Sequence, residues 1–182
     1  MRAHHPIRQP AAALAALVLC IAARADDANP SPFRFANPTS TVQEWDYNTA
    51  SLPLVADGSC GSGFVNPFGV PRLSARAGGA TWLGSHAGGG GALRAGVVAL
   101  PAAGSAMLHD LPNQGDPFGR KAFWIQVTWV SQFPAPAPEV VVETAAGRFA
   151  ASPGAQFLLP DGWNHTTYVL AIEPCPSLEV VG

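Results

Sequence analysis

The chain has 182 residues, of which 12% are charged, and it carries a formal net charge of −2 together with 19 glycines and 18 prolines. That length holds one domain with a substantial core and is too short for two large ones. A near-zero charge excludes the basic footprint of a nucleic-acid binder, and apolar residues are too frequent for a disordered chain.

Taken from the N-terminus, Arg2, His4, His5 and Arg8 precede the apolar run AAALAALVLCIAA, which ends at Ala-Arg-Ala before Asp26. A basic stretch, an apolar stretch and a small-x-small site make residues 1–25 a secretory signal peptide. The run is too short for an ordinary membrane span. A lipoprotein signal built on Cys20 would want a small residue before it, where Leu19 stands. Export is therefore expected, to the periplasm, cell surface or medium, with no membrane span in the mature chain. Residues 26–40, with three prolines and no periodicity, read as a tether. The domain proper is expected to be 41–182.

TVQEWDYNT predicts a first strand with Thr41, Gln43, Trp45 and Tyr47 on one face. A turn-rich loop carrying Cys60 follows. ATWLGS (80–85) and ALRAGVVAL (92–100) flank HAGGGG as a hairpin or a loose loop. SAMLHDL (105–111) predicts a strand closed by PNQGDPFG, and KAFWIQVTWV (121–130) is the strongest strand of all. EVVVETA (139–145), GRFAAS, AQFLL and TTYVLAIE supply more, with PDGWNH turning the chain before the last. Short strands every eight to twelve residues, punctuated by Gly and Pro, predict an all-β sandwich or barrel.

Alternation gives the strongest strand two faces. Phe123, Ile125, Val127 and Trp129 form a wholly apolar face expected in the core. Ala122, Trp124, Gln126 and Thr128 form the opposite, mixed face. A Trp beside an amide and a hydroxyl suits sugar stacking, with the ring on the apolar face of a pyranose and the polar groups on its hydroxyls. The alternative is a loop covering Trp124, with Gly88 to Gly91 the natural candidate. In the last strand Thr166, Tyr168, Leu170 and Ile172 are expected inward; His165, Thr167, Val169 and Glu173 outward. Trp163 and His165 fall at the preceding turn, where a binding loop would lie. A lone histidine there reads first as a solvated turn residue.

Past the leader, Cys60 and Cys175 are the remaining cysteines. In an oxidising compartment they read as one disulfide, worth about 4–5 kcal/mol on the chain-entropy model; the alternative is two unpaired small hydrophobes. Asp110, Asn113 and Asp116 place oxygen ligands in one loop, as Ca²⁺ requires, although turns favour Asp and Asn anyway. No other cofactor is expected. Ser59, Cys60 and Ser62 among glycines lack the strand-turn-helix setting of a nucleophile elbow. A glycosidase would need two carboxylates about 5–10 Å apart. Glu44, Asp46, Asp110, Asp116 and Glu143 are available, and sequence places no pair.

Several fragments form a pattern: QEWDY, DLPN ahead of the K-x-x-W-I-Q-V-T-W strand, PDGWNHTTYVLAIEP, and the closing PSLE. Scattered over most of residues 41–179, they resemble exported bacterial β-sandwich proteins that end in a PEP-CTERM sorting tail. The resemblance implies export, an antiparallel β-sandwich of lectin-like or jelly-roll-like form, and an extracellular-matrix role; the family has no established reaction. Cys175 stands where such proteins commonly have Asn between two prolines. The chain also ends at LEVVG, with no further strand, Pro-Glu-Pro motif or apolar tail. On this reading the domain is truncated at its C-terminal strand, leaving a sheet edge open, or it lacks the anchor. The expected function is non-enzymatic interaction at the cell surface or in the matrix, with extracellular polysaccharide or another surface protein as partner. The alternative is a secreted glycoside-active enzyme using a carboxylate pair.

Overall fold

The computed structural model describes residues 41, 43, 45, 47, 49–56, 66–131 and 135–182. The leader, the tether, Glu44, Asp46 and the loop holding Ser59, Cys60 and Ser62 lie outside the described residues. In chain order the strands are β1 (Leu54–Val55), β2 (Arg72–Ala77), β3 (Thr81–Trp82), β4 (Ser85–Ala87), β5 (Leu93–Ala95), β6 (Val98–Ala99) and β7 (Ala106–Pro112). After these come β8 (Lys121–Trp129), β9 (Val141–Thr144), β10 (Gly147–Ala150), β11 (Ser152–Leu158), β12 (Asn164–Ile172) and β13 (Leu178–Val181). No helix occurs among the described residues, and every pairing is antiparallel. The all-β class is that of the chain.

Two sheets carry most of the structure. The larger has six strands in the order β1-β2-β7-β13-β9-β10, and the smaller has three in the order β11-β12-β8. They meet through the apolar residues that alternation assigns inward. Phe123 and Ile172 of the small sheet pack with Val142 of the large one, and Tyr168 packs with Val140 and Ala151. Ile125, Leu170 and Val181 join both groups. Each of these large side chains contributes about 1.5–3 kcal/mol by leaving water. Ala151 marks the point where the chain passes from β10 in one sheet to β11 in the other.

The glycine-rich region is two nested ladders, β3 on β6 and β4 on β5. Both flanks of HAGGGG are therefore strands, as their β content predicts. β2 escapes sequence reading because Leu73 is the one large apolar residue in RLSARA and Ala is a poor strand former. A register shift between Leu73 and Ala75 interrupts its ladder, so the two alanines do not simply continue the face that Leu73 takes. LEVV, at the C-terminus, is itself a strand. β13 lies in the middle of the large sheet, between β7 and β9, whose outer strands are β1 and β10.

The segment expected as a first strand belongs to no ladder among its described residues. Its aromatic face nonetheless packs as alternation suggests. Trp45 meets the His109 ring edge-on at 4.7 Å, and the Tyr47 hydroxyl lies 3.1 Å from His109 Nε2. His109 stands opposite Leu73 and Val181, on the core face of the large sheet, and its Nδ1 is 3.2 Å from the Val181 carbonyl. A single tautomer serves both contacts: Nδ1–H donates to the carbonyl, and Nε2 accepts from the hydroxyl. Tyr47 adopts φ of +47°, and its carbonyl accepts from Trp82 Nε1 at 2.8 Å. A left-handed tyrosine costs about 1–2 kcal/mol, which these anchors offset.

Burial is the main cause that holds His109 below its ordinary pKa, against smaller raising effects from the Val181 carbonyl and Asp110. The unfolded chain, with His near 6.5, then binds a proton more readily than the folded one. Stability is therefore expected to fall as pH drops below about 6.5, because the unfolded state takes up more protons there. Urea unfolding at pH 7 and pH 5 checks this. A His109→Phe variant that lost as much stability as the parent over that interval would assign the dependence to other groups.

Candidate functional site

β8 and β12 pair in register along nine residues, and that register builds the mixed face row by row. Thr128 stands opposite His165, Gln126 opposite Thr167, and Trp124 opposite Val169. The residues singled out from sequence on two separate strands thus share one surface. Their exposure corrects one expectation. His165 is no solvated turn residue: it lies within β12, is 2% exposed, and sits 3.1 Å from Gln126 Nε2 and 3.0 Å from Thr128 Oγ1. With the amide nitrogen of Gln126 facing Nε2, the ring accepts there and donates from Nδ1–H to the threonine. Thr167, also expected outward to solvent, is 1% exposed.

Alternation did not fail here; β12 is a central strand covered on both faces over its first half. Part of the cover is the β4–β5 hairpin, which closes on Trp163. Arg94 lies 5.4 Å over the indole, His86 meets it edge-on at 6.3 Å, and Arg94 Nε donates to Asp161 Oδ2 at 2.7 Å. Asp161 Oδ1 also accepts from the Trp163 backbone at 3.2 Å. Desolvation opposes the Asp161 charge, but these hydrogen bonds and the Arg94 charge outweigh it and hold the carboxyl below its usual range.

The glycines are what let the hairpin approach. A Cβ on Gly88 would stand 2.4 Å from Trp163 Nε1, and one on Gly162, at φ +81°, would stand 2.2 Å from Gly90 N. HAGGGG is consequently a packed turn, where the sequence left a loose loop open. The indole N–H of Trp163 is buried against it without a hydrogen-bond partner.

Trp124 lies six residues along the ladder from this end, about 20 Å at strand rise. It is half-buried, beside exposed Ala122 and Ala171 and a Val169 that is 46% exposed. The face is thus divided. Its Trp163 and His165 end is closed by the glycine hairpin, and its Trp124 end is accessible. On the opposite side Trp129, expected in the core, is half-buried and donates from Nε1 to Thr166 Oγ1 at 2.9 Å.

The proposed calcium loop is put to other use. Asp110 and Asn113 are separated by an odd step in an extended segment, so they leave on opposite faces. Asn113 Nδ2 donates to the Pro176 carbonyl at 2.9 Å and lies 3.2 Å from Cys175 Sγ, while Asp116 Oδ1 accepts from Phe118 N at 2.9 Å. Among the described residues no three His, Cys, Asp or Glu side chains are grouped to hold a metal ion. Cys175 carries a free thiol, and its expected partner Cys60 lies outside the described residues.

Two of the candidate carboxylates, Asp110 and Glu143, fall in one row of the large sheet. Both stand opposite Val180, on strands about 10 Å apart. Asp110 faces Arg72 across its ladder, and exposed Glu143 is 3.6 Å from Arg148. That row is the cross-strand charge pairing of a solvated sheet face.

No protein-family model, curated protein or solved structure matches the chain. Function must be read from these surfaces.

Sequence reading passed over one further group. Lys121 continues the inward parity of Phe123, Ile125, Val127 and Trp129, and Glu179 shares that of Val181. Their charges sit where the pattern demands apolar residues. Lys121 Nζ lies 2.6 Å from Glu179 Oε1, and the glutamate is fully buried. Parity extended by two residues beyond the apolar run would have found both.

Proposed function

We propose that the protein is an exported β-sandwich that interacts with extracellular polysaccharide at the cell surface or in the matrix, without enzymatic activity of its own. The observation that carries the reading is the accessible end of the β8–β12 face. There a half-buried Trp124 lies between exposed Ala122 and Val169, and Gln126 and Thr128 continue the same surface. A flat apolar patch bordered by an amide and a hydroxyl suits a pyranose ring. The packing of two sheets through Phe123, Val142 and Tyr168 supports the sandwich, and the leader-like residues 1–25 support export. No helix among the described residues is long and apolar enough to cross a membrane. The contacts of half-buried Gln126 and Thr128 with buried His165 give Trp124 a stiff backing, which lowers the ordering cost of binding.

The test is a glycan array probed with the protein and with Trp124→Ala. Loss of an aromatic anchor should weaken binding by about 2 kcal/mol, roughly 30-fold, while the unfolding midpoint changes little. Binding to no glycan, or equal binding by the variant, would remove the carbohydrate reading. A protein partner captured by the same surface would then be sought by its sensitivity to Val169→Asp.

A further inference from the structure

Where the two sheets meet at the start of β8, three side chains of unlike chemistry lie near one another. Asn113 extends the β7 ladder, its N–H donating to Ser177 O at 2.9 Å, and Glu179 stands opposite Leu111 two residues back. Asn113 and Glu179 are therefore diagonal neighbours on the inner face of the large sheet. Lys121 reaches them from the facing sheet, with Nζ 2.6 Å from Glu179 Oε1 and 4.8 Å from the centre of the Phe123 ring. Glu179 is fully buried, and its Oε2 has no hydrogen-bond partner. The Asn113 amide lies close enough to act on the carboxyl, yet its N–H groups are aimed at the Pro176 carbonyl and Cys175 Sγ.

We propose that the protein forms an isopeptide bond between Lys121 Nζ and Asn113 Cγ, with Glu179 as the proton carrier. An amine, a carboxamide and a buried carboxyl group brought to one place where two sheets meet are the complete set of reactants for this exchange. Burial is the chief influence on Glu179 and pushes its carboxyl above the usual range, against the lowering effects of Lys121 and Asn113.

The step balances without oxidant, cofactor or water. Glu179 first takes a proton from Lys121 Nζ, whose freed lone pair attacks Asn113 Cγ and forms the new C–N bond. Glu179 accepts a proton from that nitrogen and delivers one to Asn113 Nδ2. The old C–N bond breaks and ammonia departs, leaving a secondary amide. Oε2 of Glu179, unpartnered, is the oxygen available to exchange that second proton. The hydrogen bonds that fix the Asn113 amide hold its carbon still for attack, which is the orientation effect that makes intramolecular reactions fast. The inference is independent of any sugar binding.

Tryptic peptide mapping of the reduced, denatured protein by mass spectrometry decides it. Cleavage after Arg94, Arg120 and Arg148 should give peptides 95–120 and 121–148 as one linked species, lighter than their sum by one ammonia, with Lys121 refractory to trypsin. Lys121→Arg and Glu179→Gln should each abolish the linked species. Separate peptides and cleavage after Lys121 in the unaltered protein would overturn the proposal by themselves. A linked species formed equally well in Glu179→Gln would overturn the role given to the carboxyl.

Discussion

Lys121→Met is expected to cost about 3–5 kcal/mol, because it removes the nitrogen that partners the buried Glu179 carboxyl. The loss should carry a pH signature of its own. Without the lysine, burial acts on Glu179 against only the smaller lowering effects of Asn113 and its own backbone, so the folded chain holds the proton above the range near 4.3 where the unfolded chain releases it. Between those two values the folded state binds more protons, and stability falls as pH rises. The variant should therefore unfold at lower urea at about pH 8 than at about pH 4. Replacing Glu179 by Gln as well should remove that dependence. Glu179→Gln alone should be milder, since the Lys121 side chain is 19% exposed and can turn its head to water along its apolar stem. A Lys121→Met protein whose stability rose across that interval would show that Glu179 is not the dry carboxyl described.

Tyr168→Ala is expected to cost about as much, roughly 3–5 kcal/mol, by a different route. Tyr168 is 1% exposed and fills the space between Val140 and Ala151, with Ile125, Val127 and Leu170 around it. Its hydroxyl donates to the Pro138 carbonyl at 2.5 Å, tying β12 to the approach of β9. Truncation to alanine opens a cavity at the seam of the two sheets, where neither can collapse without moving its whole ladder. Tyr168→Phe keeps the volume and strands only the carbonyl, so about 1–3 kcal/mol should be lost. Denaturant unfolding of the three proteins checks the order. Equal stability of the Phe and Ala variants would mean that the hydrogen bond, and not the packing, carries the site.

Both predictions concern the inward side of β8 and β12, the side that alternation identified most directly. Phe123, Tyr168 and Ile172 meet the core because strand geometry puts every second residue on one face, whatever the fold around it. The same rule correctly separated Trp124 from Trp129. It said less about the other face, because parity assigns a side and not a covering. His165 and Thr167 have outward parity yet are buried, and the Gly88–Gly91 turn that covers the neighbouring Trp163 comes from some seventy residues earlier in the chain. A contact across that separation depends on where two ladders stack, which no local pattern records. The calcium loop shows the same limit: it holds Asp110, Asn113 and Asp116 close in sequence, but an odd spacing in extended chain turns the first two apart.

What the sequence determined by itself is the all-β class, most of the long strands, and the parity of each side chain along them. These follow from local steric preference and a period of two, and neither needs a partner. The tertiary structure alone decided which face is closed, that the C-terminal LEVV sits in the middle of a sheet, and that Lys121, Asn113 and Glu179 come together. The reason is common to all three: burial and encounter are properties of pairs of segments distant along the chain, set by sheet order and by the stacking of one ladder on another.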